Sequence, residues 1–545
     1  MNLPRRIISF KYPSKISSLK IIIFLFFILL HLLLFNVNTA EWGDSYKILR
    51  ASEFIKEGSY PADEKRPPAF SMVLALRPFQ MDAILWGRGI MLIFSILSFI
   101  VFDKLISIFI KEKKYKLISL IIFTLNPVYL YWSLRIMADV PFSFLVLLSS
   151  YLLTRWKNSL SIWKSILIGL ICGLAILTRF EGYILLLSMF VGILFVDIQG
   201  QQLPFKLKNL LGLMANKLSY LLSLGLTTLV VILPWVLYRN PFSSKYFNEP
   251  SGRTYDLKMV WTYFSSLFYL FGFSSAFYFI LKSFFSNLCV AKFLKENIGI
   301  TLFLSLELIL ILLWPAAIPR LFVSVIPFLI ILFSLSFKEY EESNLSNVNI
   351  TDVCFLVLIL MFYVLSQFIL KLQFLIVIRA IFVVIILLQA VSILFIYLRK
   401  FNPALLVYVL SAFIWSLSTV YIHKDIYTAI KQASLYAVDN LEGKVVYNDT
   451  TSVAQWYLNY FKQGNFKGST LYGEYLDMRN LNNLNSNALS SSKVSYVILT
   501  NEDSINYESE VEKLKYLNLI KDFRYNIGDK QFFAKIFKFN GGTFK

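Results

Sequence analysis

The sequence predicts an α-helical polytopic membrane protein followed by a small α/β domain. Hydrophobic residues make up 57% of the 545 residues and charged residues only 16%, so the chain has more apolar side chain than a soluble fold buries. Apolar runs long enough to cross a hydrocarbon layer of about 30 Å recur from residue 19 to residue 421. From His423 onward the composition is that of an ordinary globular protein. We therefore expect a membrane domain at 1–422, with its first outer loop at 39–81, and a second domain at 423–545.

About thirteen spans are expected, all helical, because backbone polar groups in lipid must form their hydrogen bonds within the segment. They are predicted at residues 19–38, 82–102, 117–134, 140–154, 165–178, 183–197, 218–238, 259–281, 298–314, 321–337, 352–370, 377–398 and 402–421.

The orientation follows from the basic residues, which tend to remain in the cytoplasm. They collect at the N-terminus, with Arg5, Arg6, Lys11, Lys15 and Lys20, and in the loops at 111–116, 155–164, 206–217, 282–295 and 399–400. We expect the N-terminus in the cytoplasm, a retained first helix, and the C-terminal domain outside the cell membrane because the number of crossings is odd.

The net charge of +20 does not indicate a nucleic-acid partner, because most of the excess lies in the membrane part. Residues 423–545 carry 15 basic and 13 acidic side chains. The first outer loop is different, since its six basic residues are matched by six acidic ones. These loop cations could meet an anionic lipid headgroup.

The cysteine and histidine residues do not indicate a metal site, a disulfide framework or a catalytic role. Cys172, Cys289 and Cys354 lie in or beside apolar spans, so neither a disulfide framework nor a thiolate metal site is indicated. His31 and His423 are isolated in the sequence, and we do not expect them to be catalytic.

The first candidate site residues follow the first span directly, in EWGDSYKILR. Charge held against a bilayer is costly and is usually retained for a function, which makes Asp44 a candidate base for an acceptor hydroxyl. An N-cap of the amphipathic helix that follows, closing at Gly58, is the alternative. Glu41 stands three residues earlier and could share a proton or a divalent metal ion with Asp44, or be merely solvated.

Arg66 is the second candidate, in EKRPPAF. The paired prolines delay the next helix and hold Arg66 just outside the membrane, where its guanidinium fork can bind phosphate. A snorkelling interfacial arginine is the alternative. Arg320, between prolines at another helix entry, and Arg253 could also bind phosphate or pyrophosphate.

Asp139 lies in the short turn RIMADVP and must find a partner in the protein or in a wet cavity. A pair with Arg135, four residues earlier, is the simple structural explanation. Arg179 and Glu181, in LTRFEGY, are expected in the same cavity and could pair with Asp139 or Arg135.

The C-terminal part predicts strands at GKVVYND, SYVILT, FRYNI and QFFAKIFKF, with helices at TTSVAQWYLNYF and SEVEKLKYLNL and an Asn/Ser-rich linker, NLNNLNSNALSSS. It contains no nucleotide-binding glycine loop. Recognition of an acceptor, covering of the site and a purely structural cap are all open roles.

Three segments together resemble the GT-C class of membrane glycosyltransferases that use polyprenyl-phosphate sugars, notably the protein O-mannosyltransferase and aminoarabinose-transferase group. They are GDSYKILRASEFIKEGSYPADEKRPPAF, NPVYLYWSLRIMADVPFSFLVLLSSYLL and GLAILTRFEGYILLL, within residues 20–200. The resemblance implies that Asp44 is the catalytic aspartate and Asp139 the second acidic position. It also implies that Arg66 contacts the lipid-linked phosphate, with help from Lys47 or Arg320 and with Tyr46 in support.

The implied reaction is a direct displacement at the anomeric carbon, in which Asp44 takes the proton of a protein, lipid or glycan acceptor. The competing hypothesis is a transporter or flippase of lipid-linked sugars, although the charges lie at the outer edge and not at the midplane. An acyl or phosphoethanolamine transferase would require a histidine-based motif that the sequence lacks.

Overall fold

The computed structural model describes residues 15–78, 80–195, 207–239, 257, 259–263, 274–286, 289–314, 318–342, 350–365, 379–460, 471–477, 484–502, 506–527 and 530–540. The basic residues Arg5, Arg6, Lys11 and Lys206, residues 480–483 of the Asn/Ser-rich linker, and parts of the spans predicted at 183–197, 259–281, 352–370 and 377–398 lie outside these ranges.

The first half of the described chain is helical, as its apolar runs predict. The helices are α1 (Lys15–Leu33), α2 (Gly43–Lys56), α3 (Ala69–Ala75), α4 (Ala83–Phe109), α5 (Lys113–Thr124), α6 (Pro127–Ser133), α7 (Asp139–Trp156), α8 (Ile162–Thr178), α9 (Gly182–Leu194) and α10 (Leu207–Tyr238).

Helices continue to the end of the membrane part. They are α11 (Ser274–Phe285), α12 (Cys289–Glu296), α13 (Ile298–Leu313), α14 (Ile326–Glu342), α15 (Ile350–Val364), α16 (Arg379–Tyr397) and α17 (Phe401–Ile422), with a 3₁₀ turn at Pro319–Phe322 before α14.

The span predicted at 117–134 is two helices, α5 and α6, and not one. The break lies at Asn126–Pro127, where the Asn126 side chain accepts hydrogen bonds from the backbone N–H groups of Val128 and Tyr129. Proline cannot donate a hydrogen bond into a preceding helix, and an asparagine before it is a good N-cap, so a new helix begins there. This break brings the start of α7 to the site described below.

Four of the described helices are long and apolar enough to cross a membrane by themselves: α4, Met214–Tyr238 within α10, Ala380–Tyr397 within α16, and α17. The pair α12–α13, bent by 101°, makes a fifth if it is one broken span. Shorter apolar helices are found at Ser18–Leu33, Ile162–Thr178, Gly182–Leu194 and Asp352–Met361. The expected number of about thirteen spans stays a prediction.

The C-terminal part contains a five-stranded mixed sheet behind helix α18 (Thr428–Asn440). The strands β1 (Lys444–Tyr447), β2 (Tyr472–Tyr475), β3 (Val494–Thr500), β4 (Leu517–Ile527) and β5 (Lys530–Phe539) are arranged in the order β2-β1-β3-β5-β4. The first three are parallel, and β5 is antiparallel to both of its neighbours. Alternate residues of β1 contribute to two different apolar cores, Val445 and Tyr447 to one and Val446 to the other.

The predicted α/β part is therefore present, with several differences. The helix expected over SEVEKLKYLNL is confined to Glu508–Val511, because β4 already begins at Leu517 and pairs with β5. The strand β2 and the helix α18 were not predicted, and neither was the short helix Ser486–Ser491, which lies within the predicted Asn/Ser-rich linker.

The C-terminal part packs directly on α2, the helix that follows the first span. Tyr46 on α2 contacts the rings of Trp456 and Tyr457, and Arg50 donates a 3.2 Å hydrogen bond to Gln455. A Cβ on Gly43 would lie 2.8 Å from the Thr451 carbonyl oxygen, so a residue without a side chain is needed at this contact. The two parts therefore share a tightly packed boundary at the start of α2.

Candidate active site

Helix α2 places Asp44 in its first turn. The helix begins at Gly43 with Trp42 as its N-cap, and no side chain caps it. The N-cap explanation for Asp44 is therefore wrong, because the helix begins at Gly43, two residues earlier than that explanation requires. The helix ends at Lys56, and Gly58 adopts φ +75° beyond it, as a glycine after a helix commonly does.

Both carboxylate oxygens of Asp44 are bound by arginines. Arg66 Nη2 lies 2.6 Å from Oδ1, and Arg320 Nη1 lies 2.7 Å from Oδ2. Burial raises the pKa of Asp44, but the charges of Arg66, Arg320 and Lys47 outweigh it and hold the pKa well below its ordinary value. Asp44 is thus an ionised carboxylate clamped between two guanidiniums.

Arg66 is fixed by its own loop as well as by Asp44. The buried Glu64 accepts hydrogen bonds from the Arg66 backbone N–H at 3.0 Å and from Nη1 at 2.9 Å, and Tyr60 donates one to the Arg66 carbonyl at 2.9 Å. Burial lowers the pKa of Arg66, but Asp44 and Glu64 together raise it. Sequence reasoning missed Glu64, whose only signal is its place two residues before Arg66.

The C-terminal end of helix α10 also contacts the loop that carries Arg66. Arg239, one residue beyond the helix, donates hydrogen bonds to the carbonyls of Pro61 at 3.2 Å and Ala62 at 2.7 Å. The ring of Trp235 meets that of Tyr60 edge-on at 5.0 Å. The loop that carries Arg66 is therefore anchored at several points, which lowers the entropy cost of presenting a guanidinium to a ligand.

A cavity of ≈ 170 Å³ lies beside these groups. It is lined by Ile48, Arg66, Pro67, Met137, Ala138, Asp139, Thr178, Arg179, Phe180, Glu181, Trp314, Ile318, Arg320 and Leu321. The structure thus brings five of the predicted site residues to one cavity: Arg66, Asp139, Arg179, Glu181 and Arg320. Asp44 does not line the cavity itself. It is connected to the cavity by Arg66 and Arg320, which bind it and line the cavity.

Asp139 begins α7 and is bound by Arg179, which also binds Glu181. The Asp139 side chain is only 3% exposed, so this ion pair satisfies a carboxylate that water hardly reaches. Burial raises the pKa of Glu181, but the Arg179 charge and hydrogen bond outweigh it and lower the pKa. The expected pairing of Arg179 with Asp139 is therefore present in the structure.

The alternative pair of Asp139 with Arg135 is wrong. Arg135 precedes α7, so the four-residue helical spacing does not apply, and its guanidinium donates instead to the carbonyls of Ala40 at 3.1 Å and His423 at 2.8 Å. It is fully buried and stacks near the ring of Tyr131. Arg135 therefore joins the end of the first span, the start of α7 and the C-terminal part.

Comparison with known proteins adds to this geometry. Residues 66–246 match the family model of dolichyl-phosphate-mannose-protein mannosyltransferase, a stretch that includes Arg66, Asp139, Arg179 and Glu181. The fold is similar to that of ArnT from Cupriavidus metallidurans bound to undecaprenyl phosphate, with a TM-score of 0.60 and 12% identity over 96% of this chain and 98% of that one. The chain therefore has the fold of the GT-C glycosyltransferases.

A second structure supports the same GT-C fold. The archaeal oligosaccharyltransferase AglB from Archaeoglobus fulgidus, in complex with an inhibitory peptide and a dolichol-phosphate, has a TM-score of 0.53 and 12% identity over 96% of this chain and 74% of that one. No curated protein matches the chain by sequence. The helical GT-C architecture expected from the sequence is confirmed.

Glu41 does not line the cavity. It is fully buried, pairs with Arg88 at 2.7 Å, and accepts a 3.3 Å hydrogen bond from the Ile136 backbone N–H. Its backbone N–H donates to the Tyr46 hydroxyl at 3.0 Å, and that hydroxyl lies 3.3 Å from the hydroxyl of Tyr457. Glu41 precedes α2, so it does not share a helical face with Asp44. Both Glu41 and Tyr46 hold the start of α2 in place.

The other predicted groups are less central. Lys47 is half-buried on α2 and acts on Asp44 through its charge. Arg253 lies outside the described residues. The rings of His31 and His423 accept or donate hydrogen bonds within the helix packing, His31 with Ser133 at 2.9 Å and His423 with the Thr419 carbonyl at 2.7 Å. Across the described ranges, no three His, Cys, Asp or Glu side chains are grouped so that they could hold a metal ion.

Proposed function

We propose that the chain transfers a sugar from a polyprenyl-phosphate-linked donor to a hydroxyl or phosphate of a protein, lipid or glycan acceptor, with Asp44 as general base. One observation carries the proposal: a single carboxylate is bound by two arginines, Arg66 and Arg320, that both line the cavity. The donor class is supported by the dolichyl-phosphate-mannose family model and by the lipid phosphates named for the ArnT and AglB structures.

The two arginines are suited to the donor phosphate. Guanidinium groups bind phosphate oxygens through paired hydrogen bonds and remain charged in a poorly solvated site. In the described part of the chain, Arg320 Nε is buried and has no hydrogen-bond partner, so Arg320 has donor capacity to spare. A phosphate between Arg66 and Arg320 would displace the Asp44 carboxylate from their guanidinium groups.

This exchange would activate Asp44. While both arginines hold it, its low pKa makes it a weak base. Once the arginines turn to phosphate, the pKa of Asp44 rises toward its ordinary value, and the carboxylate can take a proton. The donor therefore prepares the base for the acceptor.

The reaction is a displacement at the anomeric carbon. The acceptor oxygen forms a bond to that carbon as its proton passes to Asp44, and the bond from the carbon to the phosphate oxygen breaks. The electron pair leaves with the polyprenyl phosphate, whose growing charge Arg66 and Arg320 stabilise.

The site is proposed to face the extracytoplasmic side, together with the C-terminal domain that packs on α2. A cysteine introduced at the exposed Ser492 tests this placement. Labelling of Ser492→Cys by a membrane-impermeant maleimide in intact cells is expected. Labelling only after permeabilisation would place the domain in the cytoplasm.

The central experiment uses purified protein, a radiolabelled polyprenyl-phosphate sugar and a membrane extract as the acceptor source. Label in a new product supports the enzyme, whereas label that crosses liposomes without product supports the transporter alternative. Asp44→Asn is expected to abolish transfer. The matched control is Asp63→Asn in the same loop, whose side chain is 66% exposed and pairs with Arg50. Retained transfer by Asp44→Asn would remove Asp44 from the mechanism.

A further inference from the structure

Two separate groups of ion pairs meet at the cavity. The first consists of Asp44 with Arg66 and Arg320, and the second, the inner group, consists of Asp139, Arg179 and Glu181. The proposed phosphate site accounts for the first group. The inner group has no role in that proposal, although all three of its side chains line the cavity.

The inner group carries an excess of negative charge. Two carboxylates share one guanidinium, and Arg179 holds the pKa of Glu181 below its ordinary value, so Glu181 is ionised at neutral pH. The group therefore has a net charge of about −1 in surroundings that screen charge poorly.

A third acid lies behind the inner group. Glu307 on α13 is 2% exposed, and its Oε1 accepts a 3.0 Å hydrogen bond from the Ser324 hydroxyl. Its Oε2 is buried and has no hydrogen-bond partner among the described residues. Glu181 and Arg179 are the charged groups that interact with it. If ionised, Glu307 adds to the negative charge; if protonated, it offers a further hydrogen-bond donor.

The lining of the cavity also includes two aromatic side chains, Phe180 and Trp314, among smaller and aliphatic ones. Phe180 stands between Arg179 and Glu181 in the sequence, and Trp314 lines the cavity from the end of α13, where its carbonyl accepts a hydrogen bond from the Tyr263 hydroxyl. Carboxylate oxygens accept hydrogen bonds from sugar hydroxyls, and aromatic faces cover the C–H groups of a sugar ring. This combination of side chains fits a sugar better than it fits a second phosphate.

We propose that the inner group binds the sugar of the donor and excludes sugars that carry a carboxylate, so that the donor sugar is neutral or cationic. The inference rests on the proposed function. The carboxylate of a uronate would lie close to the carboxylates of Asp139 and Glu181. Repulsion between these like charges in a poorly solvated cavity would strongly weaken the binding of such a ligand. A neutral sugar donates hydroxyl hydrogens to the same oxygens without that cost.

The test measures binding to the full-length purified protein in detergent. The probes are a short-chain prenyl phosphate and the same lipid carrying glucose, glucosamine or glucuronic acid; the glucosyl and glucuronosyl forms differ only at C6. The glucuronosyl lipid is expected to bind roughly tenfold or more weakly than the glucosyl lipid, and the glucosaminyl lipid no more weakly. Equal or tighter binding of the glucuronosyl lipid overturns the inference. Failure of the prenyl phosphate itself to bind overturns the proposed function, and the inference with it.

Neutral variants of Glu181 and Asp139 test whether these carboxylates cause the discrimination between the two lipids. Glu181→Gln, and independently Asp139→Asn, should reduce the discrimination between the glucosyl and glucuronosyl lipids. Glu53→Gln is the matched control, because Glu53 pairs with Arg77 and Lys56 away from the cavity. Its discrimination should equal that of the unmodified protein. If Glu181→Gln and Asp139→Asn both fold and both discriminate between the two lipids as well as the unmodified protein does, the inner group does not exclude the uronate.

Discussion

Arg320 Nη1 donates a 2.7 Å hydrogen bond to Asp44 Oδ2 across 276 residues of sequence. Arg66, only one loop away from Asp44, binds the other oxygen. The charge of the Asp44 carboxylate is thus neutralised by Arg66, which is near it in sequence, and by Arg320, which is distant in sequence. A ligand that takes these arginines changes the chemistry of Asp44 directly.

Asp44→Asn should bind polyprenyl phosphate at least as tightly as the unmodified protein does, because Asp44 competes with phosphate for the same two arginines. Arg320→Met should weaken that binding roughly tenfold, since it removes a charge-assisted contact. Titration of the purified variants with polyprenyl phosphate measures both effects.

Weaker binding by Asp44→Asn would show that the carboxylate chiefly orients the arginines and does not compete with the ligand. The double variant then decides the issue. If competition holds, the effect of Arg320→Met on binding is smaller in the unmodified background, where Asp44 occupies Arg320, than in Asp44→Asn.

Lys47→Met should move the acidic limb of the kcat profile, which reports the donor-bound enzyme, to higher pH. Lys47 is one of the cations that lower the pKa of Asp44, so its removal raises that pKa, and a larger fraction of Asp44 is protonated and inactive at a given acidic pH. The pH profile of transfer measures the shift. Lys56→Met, on the same helix but paired with Glu53, should leave the limb in place. An unchanged limb in Lys47→Met would argue that Asp44 does not set it.

Gly43→Ala should lower stability and transfer together. The new Cβ would lie 2.6 Å from Thr451 Cβ and 2.8 Å from the Thr451 carbonyl oxygen, so α2 or the C-terminal part must shift, at a cost of about 1–3 kcal/mol. Gly89→Ala on α4 is the control, because nothing lies within 4 Å of its Cβ position. It should be neutral or stabilise the protein by up to about 1 kcal/mol. Thermal unfolding and transfer assays measure both, and equal Tm values for the two variants would refute the close contact.

Arg135→Met should destabilise the protein by about 1–3 kcal/mol, because the carbonyls of Ala40 and His423 lose a buried charged donor. Arg155→Met is the control, since that arginine is exposed and bonds only the Tyr151 hydroxyl among the contacts described. Its Tm should hardly change. Sugar discrimination in Arg135→Met should stay intact, because Arg135 does not line the cavity. Lost discrimination would mean that Arg135 belongs to the site.

The sequence by itself determined the class of the protein and most of its charged candidates. Long apolar runs require helices in lipid, and carboxylates or arginines at their ends are costly enough to be few, so Asp44, Arg66, Asp139, Arg179, Glu181 and Arg320 were visible as exceptions. The strand-like segments that became β1, β3, β4 and β5 likewise predicted the sheet.

Only the tertiary structure decided which charges meet. Arg135 and Asp139 are neighbours at helical spacing, yet they have different partners, because the helix begins at Asp139 and not before it. Glu41 and Asp44 look like a pair in sequence, but Arg88 from the next span binds Glu41. Local spacing predicts helical faces and ends, whereas the partner of a buried charge depends on which distant helix packs beside it. That packing is set by shape and by the cost of an unpaired charge, neither of which can be read from spacing along the chain.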